Sequence, residues 1–252
     1  MKIFALSDPH LSFGTPDKKM DRFGEIWVSH AQKIKMQWQR LVSDKDVVLV
    51  PGDISWAKKI EGALADLQWL DHLPGQKIIL KGNHDIWWNK KAELEQKLPP
   101  SIQAVHNNSI TIGNFVFFGS RLWDTKEYSF NELIAWDKEK GDLPKDKAPH
   151  EIEKQEKLYN KELERLKLSI QSLPDNPQLK RIGLCHYPPL AHTFEDSRAS
   201  LLFEEAGAEH VVFGHLHSIK EGPRLYGAQR NTEFHLTSCD YIGMTPKLIC
   251  ED

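Results

Sequence analysis

Short apolar runs bounded by Gly, Pro or Asp recur along most of the chain, with helix-like patterns between them. Such runs are typical of β-strands that are buried on both faces. We predict strands at residues 3–6, 47–50, 78–80, 115–118, 182–184 and 211–213. Two amphipathic segments, 26–42 and 57–70, separate the first three runs and predict strand–helix–strand crossovers. This alternation favours an α/β fold in which helices and sheet form layers.

One part of the sheet is expected to be antiparallel. Gly113 and Asn114 separate the apolar residues 110–112 from the run 115–118. A Gly-Asn pair between two short apolar runs is typical of a tight hairpin turn. The sheet is therefore predicted to be mixed rather than purely parallel.

Residues 121–177 interrupt the alternation of strands and helices. This stretch is highly charged, and apolar side chains at helical spacing through 151–172 predict one long helix. The section 138–150 is rich in charge, Pro and Gly, and we expect it to be the most flexible part. The sequence therefore predicts a single domain over residues 1–252 that carries a charged helical insertion at about 121–177.

Charge and cysteine content restrict the partners and the compartment. The chain has 33 Lys and Arg against 36 Asp and Glu, so it has no overall basic field that would attract nucleic acid. Its three scattered cysteines indicate reduced thiols rather than a disulfide framework. No apolar run has the length of a signal-peptide core or a membrane span. We expect a cytoplasmic protein with neither a membrane nor a nucleic-acid partner, and the oligomeric state stays open.

Polar side chains that can bind metals follow five of the predicted strands. In layered α/β proteins the carboxyl ends of strands are where ligands bind, so residues distant in sequence can meet there. Each group alone has an ordinary explanation, such as a turn Asp beside a surface His or a buried structural His. Their joint occurrence after apolar runs predicts one cluster, which comprises Asp8 and His10, then Asp53, then Asn83 to Asp85, then His186, then His215 and His217.

The ordered motifs Asp-x-His, Gly-Asp, Gly-Asn-His-Asp, His and Gly-His-x-His resemble the signature of the calcineurin-like metallophosphoesterase superfamily. They span residues 8–217, which is most of the chain. The resemblance implies a four-layer α/β/β/α sandwich that contains two mixed β-sheets, with a dinuclear metal centre at one edge. It also implies a metal-dependent phosphoesterase that acts on a small phosphate ester.

The resemblance also implies a role for each residue of the motifs. Asp8, His10 and His217 would hold one metal ion, and Asn83, His186 and His215 would hold the other. Asp53 would bridge both ions, and His84 would be the general acid in hydrolysis by metal-activated water. Carboxylate, imidazole and amide ligands together suit divalent transition-metal ions such as Mn, Fe or Zn. The substrate would be a phosphodiester or a phosphomonoester.

The motifs argue against two alternative functions, a protein Ser/Thr phosphatase and a non-catalytic scaffold. Protein Ser/Thr phosphatases of the superfamily have an Asp-Arg pair soon after Gly-Asp, whereas Ile54 and Ser55 follow Asp53 here. Their fourth motif ends in Glu, whereas this chain has Asp85. A non-catalytic scaffold is the other alternative, but all seven ligand positions and His84 are present. The pattern most resembles bacterial predicted phosphohydrolases.

Several residues near the motifs each have two interpretations. Asp85 either orients His84 or caps a following helix. Arg121 either holds a phosphate oxygen of the substrate or forms a surface salt bridge. The others either contact the substrate or serve packing and turns: Trp56, Trp87, Trp88, Trp123 and Tyr187.

Overall fold

The computed structural model describes residues 1–88, 90–135, 148–220 and 225–252. Within these residues the chain forms two β-sheets, one of five strands and one of six, with α-helices outside them. Of the stretch 138–150 that we expect to be flexible, residues 138–147 lie outside the described residues.

The first sheet has the strand order β11-β1-β2-β3-β4. Its parallel strands are β1 (Lys2–Ala5), β2 (Val47–Pro51), β3 (Gln76–Leu80) and β4 (Ile102–Val105), and β11 (Lys247–Glu251) pairs antiparallel with β1. Helices α1 (His30–Leu41) and α2 (Ile60–Asp71) form the crossovers between the first three strands, and α3 (Lys91–Lys97) precedes β4. Buried side chains of α1 and α2, among them Trp38 and Leu67, pack in one apolar cluster with Val48 and Val50 of β2.

The second sheet has the strand order β5-β6-β7-β8-β10-β9. Its strands are β5 (Ser109–Ile112), β6 (Phe115–Gly119), β7 (Lys180–Leu184), β8 (His210–Phe213), β9 (Ala228–Gln229) and β10 (Thr232–Leu236). The β5–β6 pair is the antiparallel hairpin predicted around Gly113. Strands β6, β7, β8 and β10 run parallel. Helices α4 (Pro149–Gln171) and α5 (Arg198–Glu205) contribute buried side chains to a second apolar cluster with this sheet.

The two sheets pack face to face through an apolar core. This core joins Ile3 and Val47 of the first sheet to Phe117, Ile182 and Val212 of the second. The α/β/β/α layering and the mixed character of both sheets are therefore confirmed. The prediction of the six strands is also confirmed within a few residues.

Helix α4 connects β6 to β7, which are neighbouring parallel strands. Tyr159, Leu163 and Leu166 are its buried apolar side chains, and they pack in the cluster that covers the second sheet. The predicted helix over 151–172 is thus present as an outer layer of the sandwich. The insertion at about 121–177 stays a prediction.

The two sheets are joined at one edge by backbone hydrogen bonds. Just beyond β1, the Ser7 amide donates to the Thr237 carbonyl at 2.8 Å, and the Cys239 amide donates to the Ser7 carbonyl at 3.0 Å. The carboxyl ends of β1 and β10 therefore meet, and loops from both sheets share one edge. Among the described residues, no helix is long and apolar enough to cross a lipid bilayer.

Candidate metal centre

The loops after β1, β2 and β8 leave their strands through left-handed backbone conformations. Asp8, His10, Asp53 and His215 have φ angles of 57°, 43°, 53° and 71°. Such angles are uncommon for residues other than glycine and are a frequent form of strain at functional sites. The amide of Asp8 donates to the Gly52 carbonyl, and that of His10 to the Asp53 carbonyl, each at 3.0 Å. These bonds hold the first two loops against each other.

One group of potential ligands comprises Asp8, His10 and His217. His217 Nε2 lies 3.5 Å from Asp8 Oδ1 and 3.3 Å from His10 Nε2. Asp8 is fully buried, and both of its carboxylate oxygens accept the backbone N–H of His215 at 3.1–3.2 Å. The carboxylate from the first sheet is therefore fixed beside imidazoles that arrive from two different loops.

A second group comprises Asn83, His186 and His215. The amide oxygen of Asn83 lies 2.7 Å from His186 Nε2 and 3.1 Å from His215 Nδ1. His186 is fully buried, and its Nδ1 lies 3.1 Å from the carbonyl oxygen of Pro51. This contact orients the ring with Nδ1 towards the carbonyl, so that Nε2 faces the site and can bind a metal ion once it has lost its proton.

Asp53 lies between the two groups. Its Oδ2 is 3.8 Å from His10 Nε2 and 3.4 Å from His186 Nε2. Its Oδ1 accepts the backbone N–H of His84 at 2.8 Å. One carboxylate oxygen of Asp53 therefore faces both groups, and the other is held by the hydrogen bond from the His84 amide.

These separations fit a site for metal ions. Ligand atoms bonded to one transition-metal ion at about 2.0–2.2 Å lie roughly 3–3.5 Å apart. The His10–His217, His217–Asp8, His186–Asp53 and His215–Asn83 pairs fall in that range, at 3.3, 3.5, 3.4 and 3.1 Å. The chemistry of the donors also fits, since imidazole nitrogens are combined with carboxylate and amide oxygens.

The electrostatics of the buried cluster favour positive charge at its centre. Burial would raise the pKa of Asp8, but hydrogen bonding to His217 and its charge lower that pKa to about 2. Burial would lower the pKa of His186, but the charge of Asp53 raises it to about 9. Burial lowers the pKa of His10 to about 4, which keeps its imidazole neutral near pH 7. The Asp8 carboxylate is therefore ionised, and a cation beside it is stabilised.

His84 has a more open position than the buried histidines. Its side chain is 42% exposed, and its Nε2 lies 4.0 Å from Asp53 Oδ2. The ring packs against Trp56, with 4.4 Å between the ring centroids. His84 is therefore beside the cluster and accessible from solvent.

Asp240 is a member of the site that sequence reasoning missed. Its Oδ1 lies 2.8 Å from His217 Nδ1, and its Oδ2 accepts the backbone N–H of Ser218 at 3.0 Å. The carboxylate thus fixes the His217 ring with Nε2 directed at Asp8. An acidic residue soon after a strand is the sequence signal that could have identified Asp240. That signal could not be recognised, because the apolar runs do not predict the preceding strand, β10.

The structure corrects the interpretation of Asp85. Its Oδ1 accepts the amides of Ile54 and Ser55 at 2.9 and 3.1 Å, and its Oδ2 accepts the amide of Gly82 at 2.8 Å. Of the two interpretations, the helix cap is wrong, because the next helix, α3, has Lys90 at its N-cap. Asp85 instead ties the loop after β2 to the loop after β3, which positions Asp53 relative to Asn83.

The structure places Arg121 in an ion pair rather than towards the metal cluster. Its guanidinium contacts the buried carboxylate of Glu162 at 2.9 Å and lies over the Trp123 ring, 4.4 Å from the centroid. This placement favours the salt-bridge interpretation, although the partner is buried in the helix layer rather than at the surface.

The aromatic residues divide between packing and the site. Trp87 is fully buried and donates its indole N–H to Asp85 Oδ1 at 2.9 Å, so it serves packing. Trp88 is also buried. Trp56 is stacked on His10, with 5.0 Å between centroids, and therefore borders the cluster. The Tyr187 ring contacts the His215 ring at a tilt of 34°, with 3.9 Å between centroids.

We expect Gly82→Ala to weaken metal binding through a steric effect on Asp53. A Cβ atom at this position would collide with the Oδ1 atom and the backbone nitrogen of Asp53. Overpacking of this kind typically costs about 1–3 kcal/mol of stability and moves the neighbouring atoms. Metal content and melting temperature should both fall, whereas Gly227→Ala should change neither, because a Cβ there meets nothing within 4 Å. An unchanged metal content in Gly82→Ala would contradict the role of this contact.

Comparisons with known proteins agree with this architecture. The chain matches the family model described as calcineurin-like phosphoesterase over residues 1–218. It is 30% identical over 95 residues to an uncharacterised protein of Methanocaldococcus jannaschii, a match that covers 37% of this chain. The same match covers 52% of that protein, so the chain spans about half the length of this relative.

Two solved structures are similar to the chain over nearly its whole length. One is the TT1561 protein of Thermus thermophilus, with 15% identity, a TM-score of 0.54, and coverage of 98% of this chain and 97% of that one. The other is the phosphopantetheinyl hydrolase of Mycobacterium tuberculosis, with 13% identity, a TM-score of 0.54, and coverage of 100% and 96%. At these identities the likeness concerns the fold.

Proposed function

The chain belongs to the calcineurin-like phosphoesterase family, a family of metal-dependent phosphoesterases, and we propose that it hydrolyses a small phosphate ester at the cluster around Asp53. One observation carries the proposal. Two sets of potential ligands flank one buried carboxylate, whose Oδ2 lies 3.4 Å from His186 Nε2 and 3.8 Å from His10 Nε2. A carboxylate placed in this way is what a pair of neighbouring metal ions requires.

The proposed ligand sets follow the two groups of side chains. Asp8, His10 and His217 would hold one divalent ion, Asn83, His186 and His215 would hold the other, and the carboxylate of Asp53 would be available to both. Mn, Fe and Zn all suit this mixture of nitrogen and oxygen donors. When bound, the two ions supply Lewis-acid activation of water and neutralise charge on the phosphate.

The remaining steps belong to side chains of the protein. Asp85 keeps the Asp53 and Asn83 loops in register, since it binds backbone amides of both loops. His84 delivers a proton to the departing oxygen of the ester, and its partly exposed ring then regains a proton from solvent. No Ser or Cys nucleophile is required in this scheme. We also propose a cytoplasmic location, supported by three cysteines that are free thiols in the structure.

The proposal is tested with protein that has been stripped by a chelator and reconstituted separately with Mn, Fe(II) or Zn. Hydrolysis of p-nitrophenyl phosphate, bis(p-nitrophenyl) phosphate and cyclic nucleotides is expected to return with the metal. The relative rates separate a monoesterase from a diesterase. A protein that binds no metal and hydrolyses none of these esters would support the non-catalytic scaffold instead.

Asp240→Asn is expected to reduce metal affinity by about 10–100-fold, the usual effect of losing a carboxylate that orients a metal-binding histidine. The amide retains the size of the side chain but removes the charge 2.8 Å from His217 Nδ1. Metal affinity is measured by calorimetry, with the exposed Asp175→Asn as a control that loses the same charge. Equal metal affinities for the two variants would show that Asp240 does not contribute to metal binding.

A further inference from the structure

A cavity of about 860 Å³ opens directly beside the proposed metal centre. His215 and His217 line one end of it, and the rest extends between the segment 123–134 and helix α4. Cavities of about 300–1,000 Å³ are the size that encloses drug-sized organic ligands. A phosphate group with a short alkyl chain would leave most of this space unused.

A row of aromatic rings in contact, each tilted against the next, forms the wall of the cavity nearest the proposed metal centre. The Tyr187 ring lies 3.9 Å from the His215 ring and 4.9 Å from the Trp123 ring, measured between centroids. The Arg121 guanidinium covers Trp123 at 4.4 Å and is itself held by Glu162. The Tyr187 amide donates to the Arg121 carbonyl at 3.0 Å. The wall is therefore fixed in place before any ligand arrives.

The rest of the lining is apolar or uncharged for the most part. Phe130, Ile134, Ile152 and Leu216 supply apolar surface, and Thr125 and Ser129 supply hydroxyl groups. Among the described lining residues, Asp124 contributes one negative charge and Lys126 one positive charge. Such a surface does not favour a second phosphate or another strongly acidic group. It suits a neutral group with rings that can stack and polar atoms that can accept or donate hydrogen bonds.

We propose that this cavity binds an uncharged, ring-bearing organic group of about nucleoside size, while the metal centre holds the phosphate to which that group is esterified. This inference rests on the proposed phosphoesterase function and defines its substrate class. It also gives the segment before helix α4 a role in specificity, because residues 123–134 supply much of the lining.

The test compares three diesters that share one leaving group, so that the chemical step is similar in each. They are the p-nitrophenyl phosphodiesters of thymidine, ethanol and octanol; in each, water displaces nitrophenolate at phosphorus. We expect kcat/KM for the thymidine ester to exceed that for the ethyl ester by about tenfold or more, mainly through KM. The octyl ester should fall between them, because an alkyl chain gains apolar contact without ring stacking.

A matched pair of variants on helix α4 tests whether the preference for the thymidine ester arises in the cavity. Ile152 lines the cavity and is 41% exposed, whereas Leu168 is 49% exposed on the same helix and does not line it. Ile152→Trp narrows the cavity and should remove most of the preference for the thymidine ester, and Leu168→Trp should retain it. Trp123→Ala should lower kcat/KM for the thymidine ester more than for the ethyl ester.

The outcomes separate this inference from the phosphoesterase function. Equal kcat/KM for the thymidine and ethyl esters, or an octyl ester better than both, would overturn the inference while leaving the phosphoesterase function intact. If none of the three esters is hydrolysed, the binding of thymidine is measured by quenching of tryptophan fluorescence. Binding that Ile152→Trp weakens and Leu168→Trp does not would still support the cavity assignment, and absence of binding would overturn it.

Discussion

Asp53→Asn is expected to lose bound metal and to have a kcat more than about 100-fold below that of the wild type. The loss of a proposed direct ligand should have a larger effect than the loss of a residue that only orients a ligand, which is about 10–100-fold. The amide keeps the shape of the carboxylate, so the cavity between His10 and His186 is preserved. What disappears is one negative charge, in a buried position 3.4–3.8 Å from two imidazole nitrogens. At a buried site, solvent cannot compensate for the loss of this charge.

Metal content per chain and kcat on bis(p-nitrophenyl) phosphate are the two measurements for Asp53→Asn. Asp175→Asn again serves as the control, since it removes a charge from an exposed position. The fold should survive, because the Asp8 and His186 bonds to the backbone remain in place. Two ions per chain together with wild-type turnover in Asp53→Asn would refute the bridging role.

His84→Ala should retain both metal ions and lose activity to an extent that depends on the leaving group. A positioned general acid is typically worth about 10²–10⁴ in rate, and its contribution is greatest when the leaving oxygen most needs a proton. An alkoxide needs one, whereas a nitrophenolate scarcely does. We therefore expect a large loss of kcat on alkyl or nucleoside esters and a distinctly smaller loss on nitrophenyl esters.

The control for this variant is His150→Ala, which removes an exposed imidazole at the start of helix α4. Metal content must be measured alongside the rates. His84 Nε2 lies 4.0 Å from Asp53 Oδ2, so a role as a ligand is the alternative that has to be excluded. A lost metal ion, or an equal deficit for good and poor leaving groups, would show that His84 is not the general acid.

The sequence predicts the layers and the cluster for the same physical reason. Strands buried on both faces must be short apolar runs, and polar residues at their carboxyl ends then converge on one edge of the sheet. Asp8, Asp53 and Asn83 could therefore be grouped although they are distant along the chain. The alternation of runs also predicts the crossover helices, because parallel neighbours need a long connection.

The less regular elements could not be predicted in this way. Strand β4 contains the polar Gln103, and β10 contains Glu233 and His235, so neither forms a continuous apolar run. Without β10, Asp240 has no strand end to which it could be assigned. Trp27, which lies 5.6 Å from the His217 ring, belongs to a short 3₁₀ turn that no periodicity reveals.

Side-chain partners also depend on packing that the sequence does not display. Arg121 follows a strand end, as a phosphate-binding residue would, but Glu162 of helix α4 lies close enough to bind it. Asp85 adjoins His84 in sequence, yet its carboxylate turns towards the amides of Ile54 and Gly82. Both outcomes follow from contacts between elements that are far apart along the chain.

The proposed dinuclear centre is tested most directly by titration of the metal-free protein with Mn²⁺ while bound metal and hydrolysis of bis(p-nitrophenyl) phosphate are followed together. The arrangement of ligands on both sides of Asp53 predicts that two ions bind per chain and that activity reaches its plateau only with the second. Full activity without added metal, or a plateau of binding and activity at one ion per chain, would contradict a two-metal phosphoesterase.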